Sequence, residues 1–152
     1  MLMALGRQFA QSPLFSKRIA LQVLQGDAFT WQQLLEKTQQ ISTYLQHIGV
    51  KPQDGIALCG KNSLELVLFY LAAIQIGARV LMLNPMFPLE KRIALCQAYN
   101  ADFFFTSDHA EFVAESQKCS EIFRSFFTFS DAIKQAEKID SFGDFPVNLT
   151  QP

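Results

Sequence analysis

Histidine, cysteine and glycine are scarce in this chain of 152 residues, which holds 2, 3 and 7 of them. His47 and His109 stand far apart with no ligand-type spacing around them, so a metal cluster is not expected. Cys59, Cys96 and Cys119 are odd in number and contain no CxxC pair. They read as buried or incidental thiols rather than a disulfide framework or a zinc site. Charge of one sign is missing too: 13 Lys and Arg face 14 Asp and Glu, a formal charge of -1. No basic patch offers itself to nucleic acid. The opening MLMALGRQF lacks both the apolar length and the small-residue cleavage site of a secretory signal, and a cytoplasmic location is the expectation. A long uninterrupted apolar run is also absent. Residues 64–83 come nearest, but Glu65, Gln75, Gly77 and Arg79 break a stretch that would need about 18 apolar residues to span a bilayer. Gly77 divides it into a helix and a strand, so no membrane span is expected.

What is present is an alternation. Ile19 to Leu24 and Ala28 to Trp31 are β-prone runs around Gly26-Asp27, the pattern of a short hairpin. Thr30 with Gln33 three positions on forms a capping box, and Leu34, Leu35, Thr38, Ile41, Leu45 and Ile48 follow at helical spacing up to Gly49. Ile56 to Cys59 then reads as a buried strand, Asn62 or Ser63 as the cap of a helix to about Ile76, and Arg79 to Leu83 as the next strand. The loop Asn84-Pro85-Met86-Phe87-Pro88 leads to a helix over Leu89 to Tyr99. Asp102 to Thr106 is a third strand, with Ser107 or Asp108 capping a short helix. Ile122 to Phe129 suggests a fourth strand and Asp131 to Lys138 a short helix. This predicts an α/β fold: a partial doubly wound sheet of mainly parallel strands with flanking helices, preceded by the hairpin. Phe103-Phe104-Phe105 and the phenylalanines around Phe126 are apolar on both faces and need cover on both sides.

Gly55 to Asn62 nearly spells a phosphate loop. A phosphate loop needs flexible residues between its glycines and a strand before them, whereas here the intervening residues are themselves the strand. Asn62 also stands where a magnesium-holding hydroxyl belongs. No G-x-G-x-x-G and no G-x-S-x-G occurs, which removes a dinucleotide cradle and a hydrolase elbow. Lys17-Arg18 and Lys91-Arg92 read as solvated charge pairs.

One ordered series remains: Phe29-Thr30-Trp31-Gln32-Gln33-Leu34, Gly49-Val50-Lys51-Pro52-Gln53-Asp54, Ile56-Ala57-Leu58, Asn62-Ser63 with Glu65, Gly77-Ala78 and Leu83-Asn84-Pro85. It resembles the opening of the adenylate-forming, or AMP-binding, superfamily over about Ile19 to Ser107. Within it, Gly77 to Leu81 followed by Asn84-Pro85 looks most like the o-succinylbenzoate:CoA ligases of menaquinone biosynthesis. The resemblance implies a partial N-terminal domain over residues 1–152 of a larger acid:CoA ligase, with 141–152 a polar tail leading toward a phosphate-binding loop. It implies ATP, Mg2+ and CoA, with a small carboxylate, for the full-length enzyme, and none of these as a cofactor of this fragment. The family's phosphate loop, magnesium-binding glutamate, ribose-binding aspartate and mobile lysine match no position here, so no catalytic, cofactor-binding or metal residue is assigned and the fragment alone is expected to be inactive. Some acyl-CoA ligases carry a basic residue directly after the Asn-Pro pair, near the CoA phosphates; Met86 takes that place here. The alternatives left open are a fatty-acid or aryl-acid:CoA ligase fragment and a non-catalytic module that self-associates through exposed apolar surface.

Overall fold

The computed structural model describes residues 19–22, 28–61 and 63–140. Strands β1 (Ile19–Gln22) and β2 (Ala28–Thr30) pair antiparallel as the expected hairpin; its Gly26-Asp27 turn lies outside the described residues. Thr30 then closes the capping box: its Oγ1 accepts from Gln33 N at 3.2 Å while Gln33 Oε1 accepts from Thr30 N at 3.0 Å. With those end groups satisfied, helix α1 runs Trp31–His47 and stops before Gly49, whose φ of 102° suits glycine alone.

The β-α alternation follows in order. Strand β3 (Gly55–Cys59) leads to α2 (Leu64–Gln75), β4 (Arg79–Leu83) to α3 (Leu89–Tyr99), β5 (Ala101–Thr106) to α4 (His109–Ile122), and β6 (Ser125–Thr128) to α5 (Phe129–Asp140). Ser63 is the cap of α2, its Oγ accepting from Leu66 N at 3.2 Å; Asn62, the other candidate, lies outside the described residues. Pro88 occupies the cap position of α3 and makes no side-chain cap bond. Two expectations are corrected. Helix α4 is not short but spans 14 residues, because Phe123 N still bonds Cys119 O at 2.8 Å. Strand β6 is correspondingly confined to 125–128: its last residue, Thr128, caps α5 by accepting from Asp131 N at 3.2 Å, so Phe129 already starts a helix. The tail over 141–152 lies outside the described residues.

Strands β3 to β6 form one parallel sheet in the order β4-β3-β5-β6. Side chains of alternate strand positions feed two separate cores. Ile56, Leu58, Phe103 and Phe105 meet α1, α2 and α5 on one face, while Ala57, Cys59, Phe104 and Phe126 meet α3 and α4 on the other. That three-layer arrangement is why the strands read apolar at nearly every position. Phe69 meets Phe105 and Phe129 in tilted ring contacts at 5.0 Å centroid distance in the first core. Phe104 meets Phe123 and Phe126 at 5.2 Å in the second. Each fully buried phenylalanine contributes about 1.5–3 kcal/mol of transfer free energy, so the phenylalanine-rich strands are core. In the first core Tyr44 donates its hydroxyl to Gln135 Oε1 at 3.1 Å, and burial raises its pKa.

Candidate functional site

In a parallel sheet every strand end of one kind faces the same way, and the helix after each strand starts at the same edge. Strand β3 sends the chain to β4 on one side, and β5 then takes the place on its other side. The C-terminal ends of β3 and β5 therefore mark a topological switch point, the place where open α/β sheets leave a crevice. A cavity of about 240 Å³ lies there, lined by Ser63 and Glu65 from the start of α2, Ser107 and His109 from the start of α4, and Thr128 to Ser130 at the start of α5. Gly60 packs against two of the lining residues: a Cβ at that position would come within 2.7 Å of Ser107 Oγ and 3.3 Å of Phe129 Cε2.

The helix starts around this crevice are finished by side-chain oxygens. Ser63 caps α2, Asp108 Oδ1 accepts from Glu111 N at 2.8 Å in α4, and Thr128 caps α5. Asp108 N in turn donates to Thr106 Oγ1 at 3.1 Å, and Ser107 N to Cys59 O at 3.0 Å. The lining is thus a set of hydroxyls, one imidazole and one carboxylate held by short turns. Such groups orient a polar ligand through hydrogen bonds; among them no nucleophile and base are paired.

After β4, the loop of residues 84–88 is shaped by Asn84, whose Oδ1 accepts from Met86 N at 2.9 Å and whose carbonyl accepts from Phe87 N at 3.1 Å. Asn84 thus serves the turn, and Met86 projects into solvent at 85% exposure. Arg92 corrects the reading of Lys91-Arg92 as a solvated pair. Lys91 does lie on the surface, 4.0 Å over the Phe87 ring. Arg92 is 4% exposed and joins both carboxylate oxygens of Glu111, one at 2.6 Å. That contact, first, and the charge of Glu111 raise its pKa, so it stays a cation throughout the folded state's range. Lys17-Arg18 lies outside the described residues.

The cysteines are buried, unpaired thiols, and the fold gathers all of them into the α3–α4 core. Burial pushes the Cys96 thiol up to about 12, with Cys59 and Cys119 nearby opposing its ionisation further. Burial likewise raises Cys59 and Cys119. Neutral buried thiols are poor nucleophiles and poor metal ligands.

A profile of the AMP-binding enzyme family matches residues 9–144. The chain belongs to that family. The 2-succinylbenzoate–CoA ligase of Haemophilus influenzae is 46% identical over 99 residues, which is 65% of this chain and 22% of that protein. Bacitracin synthase 1 of Bacillus licheniformis is 33% identical over 82 residues, 54% of this chain and 2% of the synthase. Among solved structures, the N-terminal subdomain of Klebsiella oxytoca NpsA with a bound 3-hydroxyanthranilyl-AMSN superposes at a TM-score of 0.71 with 22% identity, covering 93% of this chain and 32% of that one. The O-succinylbenzoate coenzyme A synthetase of Bacillus subtilis in complex with AMP gives 0.72 at 22% identity, covering 85% and 32%. This AMP-binding family member therefore spans about a fifth of the Haemophilus ligase and about a third of the structural neighbours.

The described residues do not fit magnesium-ATP by themselves. The Gly55 to Asn62 decoy is resolved by burial: Gly55–Cys59 are all buried in β3 and hydrogen-bonded on both sides, leaving no free amides to wrap a phosphate. No group of His, Cys, Asp and Glu among the described residues is arranged to hold a metal. No described helix is long and apolar enough to cross a membrane. The lining residues Ser63, Ser107, His109 and Thr128 share no motif in the sequence. Their signal is a side-chain oxygen at the start of the helices that follow β3, β5 and β6: Ser63, Asp108 and Thr128.

Proposed function

We propose that this chain supplies the N-terminal scaffold of an ATP-dependent acid:CoA ligase for o-succinylbenzoate. The full-length enzyme adenylates the carboxylate, releasing pyrophosphate, and the CoA thiol then displaces AMP to give the thioester. ATP, magnesium, CoA and the acid are its small-molecule partners, and its location is cytoplasmic. The observation that carries this reading is the 46% identity to the Haemophilus influenzae ligase over 99 residues. The crevice at the strand ends suits a supporting wall, since its hydroxyls and backbone turns orient polar groups but pair no nucleophile with a base. No phosphoryl or metal step passes through the described residues.

Pyrophosphate release by the full-length protein, with ATP and CoA supplied and a panel of acids, tests the proposal. A kcat/KM for o-succinylbenzoate at least about tenfold above fatty and benzoic acids, or about 1.4 kcal/mol of transition-state stabilisation, is expected. A fatty acid preferred over o-succinylbenzoate would overturn the substrate; no release with any acid would overturn the ligase reading. The 152-residue chain itself is expected to show no low-micromolar affinity for Mg-ATP in a calorimetric titration. A second reading, a self-associating module, draws on exposed Met82 and Met86 at 50% and 85% and Tyr70 and Ile74 at 40% and 42%. Sedimentation showing a stable dimer of the full-length protein without pyrophosphate release would favour it.

A further inference from the structure

Arg92 sits on one face of the sheet where three consecutive strand ends meet. Its Nε donates to Phe87 O at 2.9 Å, in the loop after β4. Its Nη1 lies 3.6 Å from Cys59 Sγ, the last side chain of β3. Its Nη1 and Nη2 fork onto Glu111, in the first turn of the helix after β5. Glu111 in turn donates its backbone N–H to Asp108, whose neighbours Ser107 and His109 line the crevice. A planar guanidinium can serve these directions at once because its donors point apart in one plane; a lysine ammonium has no such fork.

The surroundings explain why so buried a charge is tolerated. Glu111 neutralises it through two charge-assisted bonds, and the Phe87 carbonyl takes the remaining inward-facing donor. Apolar residues replacing Arg92 and Glu111 together would fill the same space without the desolvation cost of the pair, so stability alone does not call for the ion pair here. What the arginine adds is connection. Without it, the bonds that hold the 84–88 loop, through Asn84, and the first turn of α4, through Asp108, are local to each.

We propose that Arg92 is a positioning residue for the mouth of the crevice, holding the 84–88 loop and the first turn of α4 as one body across the end of β3. Its effect on catalysis rests on the ligase reading given above; the mechanical link does not.

The test uses the complete polypeptide carrying this segment, with Arg92→Lys and Glu111→Gln compared with the unaltered protein by amide hydrogen exchange resolved to peptides. Arg92→Lys keeps the charge and loses the fork, and exchange over 84–88 and over 108–112 is expected to rise together by about tenfold or more. Glu111→Gln touches only the α4 side, yet exchange over 84–88 is expected to rise about threefold or more as well. Unchanged exchange at 84–88 in Glu111→Gln overturns the link, whatever happens to α4. If Arg92→Lys fails to fold, Glu111→Gln decides alone. In the ligase assay, Arg92→Lys is expected to lower kcat about tenfold with KM for ATP within about twofold, the mark of lost alignment rather than lost binding. An unchanged kcat overturns the positioning role. If the unaltered protein releases no pyrophosphate, the ligase reading falls and the exchange result still decides the link.

Discussion

The two ends of the parallel sheet solve opposite problems. At the N-terminal end the helices finish, so carbonyl oxygens gather there. Arg79 answers them: its Nε donates to Gln53 O at 2.7 Å and its Nη1 to Tyr99 O at 2.9 Å, with the guanidinium 4.7 Å over the Tyr99 ring. A cation near the last carbonyls of α3 also opposes the negative end of that helix. Backbone turns seal the rest, with Gln53 and Asn100 at positive φ of 75° and 58° and Gln53 N bonded to Gly77 O at 2.9 Å. At the C-terminal end the helices begin, donors gather, and those of α2, α4 and α5 are finished by local side-chain oxygens around a crevice. One end is closed by a part-exposed arginine on carbonyls; the other is braced by a buried arginine on a carboxylate. The same residue type therefore has different jobs, decided by which helix end it faces.

That contrast is open to direct attack. The largest effect is expected from Arg92→Met, which strands the Glu111 carboxylate beside the α3–α4 core and should cost about 3–5 kcal/mol. Arg79→Met removes bonds to carbonyls that water can partly reach, and should cost about 1–3 kcal/mol. Urea denaturation of both variants compares them, and an equal or larger loss at Arg79 breaks the contrast.

Glycines sharpen it next. At the closed end, a Cβ on Gly55 would lie 2.7 Å from Asn100 O and 2.9 Å from Ala101 Cα, backbone atoms where α3 passes into β5 that cannot step aside. Gly55→Ala should cost about 3 kcal/mol. Next to the crevice, the added methyl on Gly60 meets side chains rather than backbone: Ser107 Oγ at 2.7 Å, which can rotate away, Ser107 Cβ at 3.0 Å and Phe129 Cε2 at 3.3 Å. Gly60→Ala should cost only about 1 kcal/mol. Matching midpoint shifts in denaturation would show the crevice to be as tightly packed as the closed end.

The thiols distinguish the α3–α4 layer by pH. The unfolded chain gives up the Cys96 proton from its ordinary value of 9.0, while the folded chain holds it up to about 12. Above about pH 9 the folded state thus binds more protons than the unfolded state, and stability falls as pH rises until the folded thiol also ionises. Cys96→Ala should flatten that slope in thermal melts taken from pH 8 to 11. An unchanged slope would assign the alkaline loss to other groups, such as Tyr44, whose pKa burial also raises.

The smallest effect lies away from both ends. Thr38 Oγ1 is buried with no hydrogen-bond partner, so Thr38→Val removes an unmet polar group at nearly constant volume. A gain of about 1 kcal/mol in denaturation is expected, and a loss would mean that the hydroxyl is satisfied in solution.

Local chemistry made much of this protein legible from its residues. The capping box at Thr30, the glycine stops at Gly49 and Gly77, and the doubly apolar strands at Ile56 to Cys59 and Phe103 to Phe105 depend on neighbours a few positions away or on a simple period, and each stands in the structure as read. The ordered motifs likewise carried the family. The limits of β6 were less clear because Phe123 and Phe129 fit a strand by type, and only the helix ends on either side claim them. Arg92 shows what tertiary structure alone decided. Beside Lys91 it has the look of a surface charge, and its burial depends on Cys59 and Glu111, 33 and 19 positions away, arriving at the same point. The crevice has the same origin. Ser63, Ser107 and Thr128 are ordinary polar residues near strand ends and helix starts in the sequence, and they line one crevice because parallel pairing places the ends of β3, β5 and β6 on the same sheet edge.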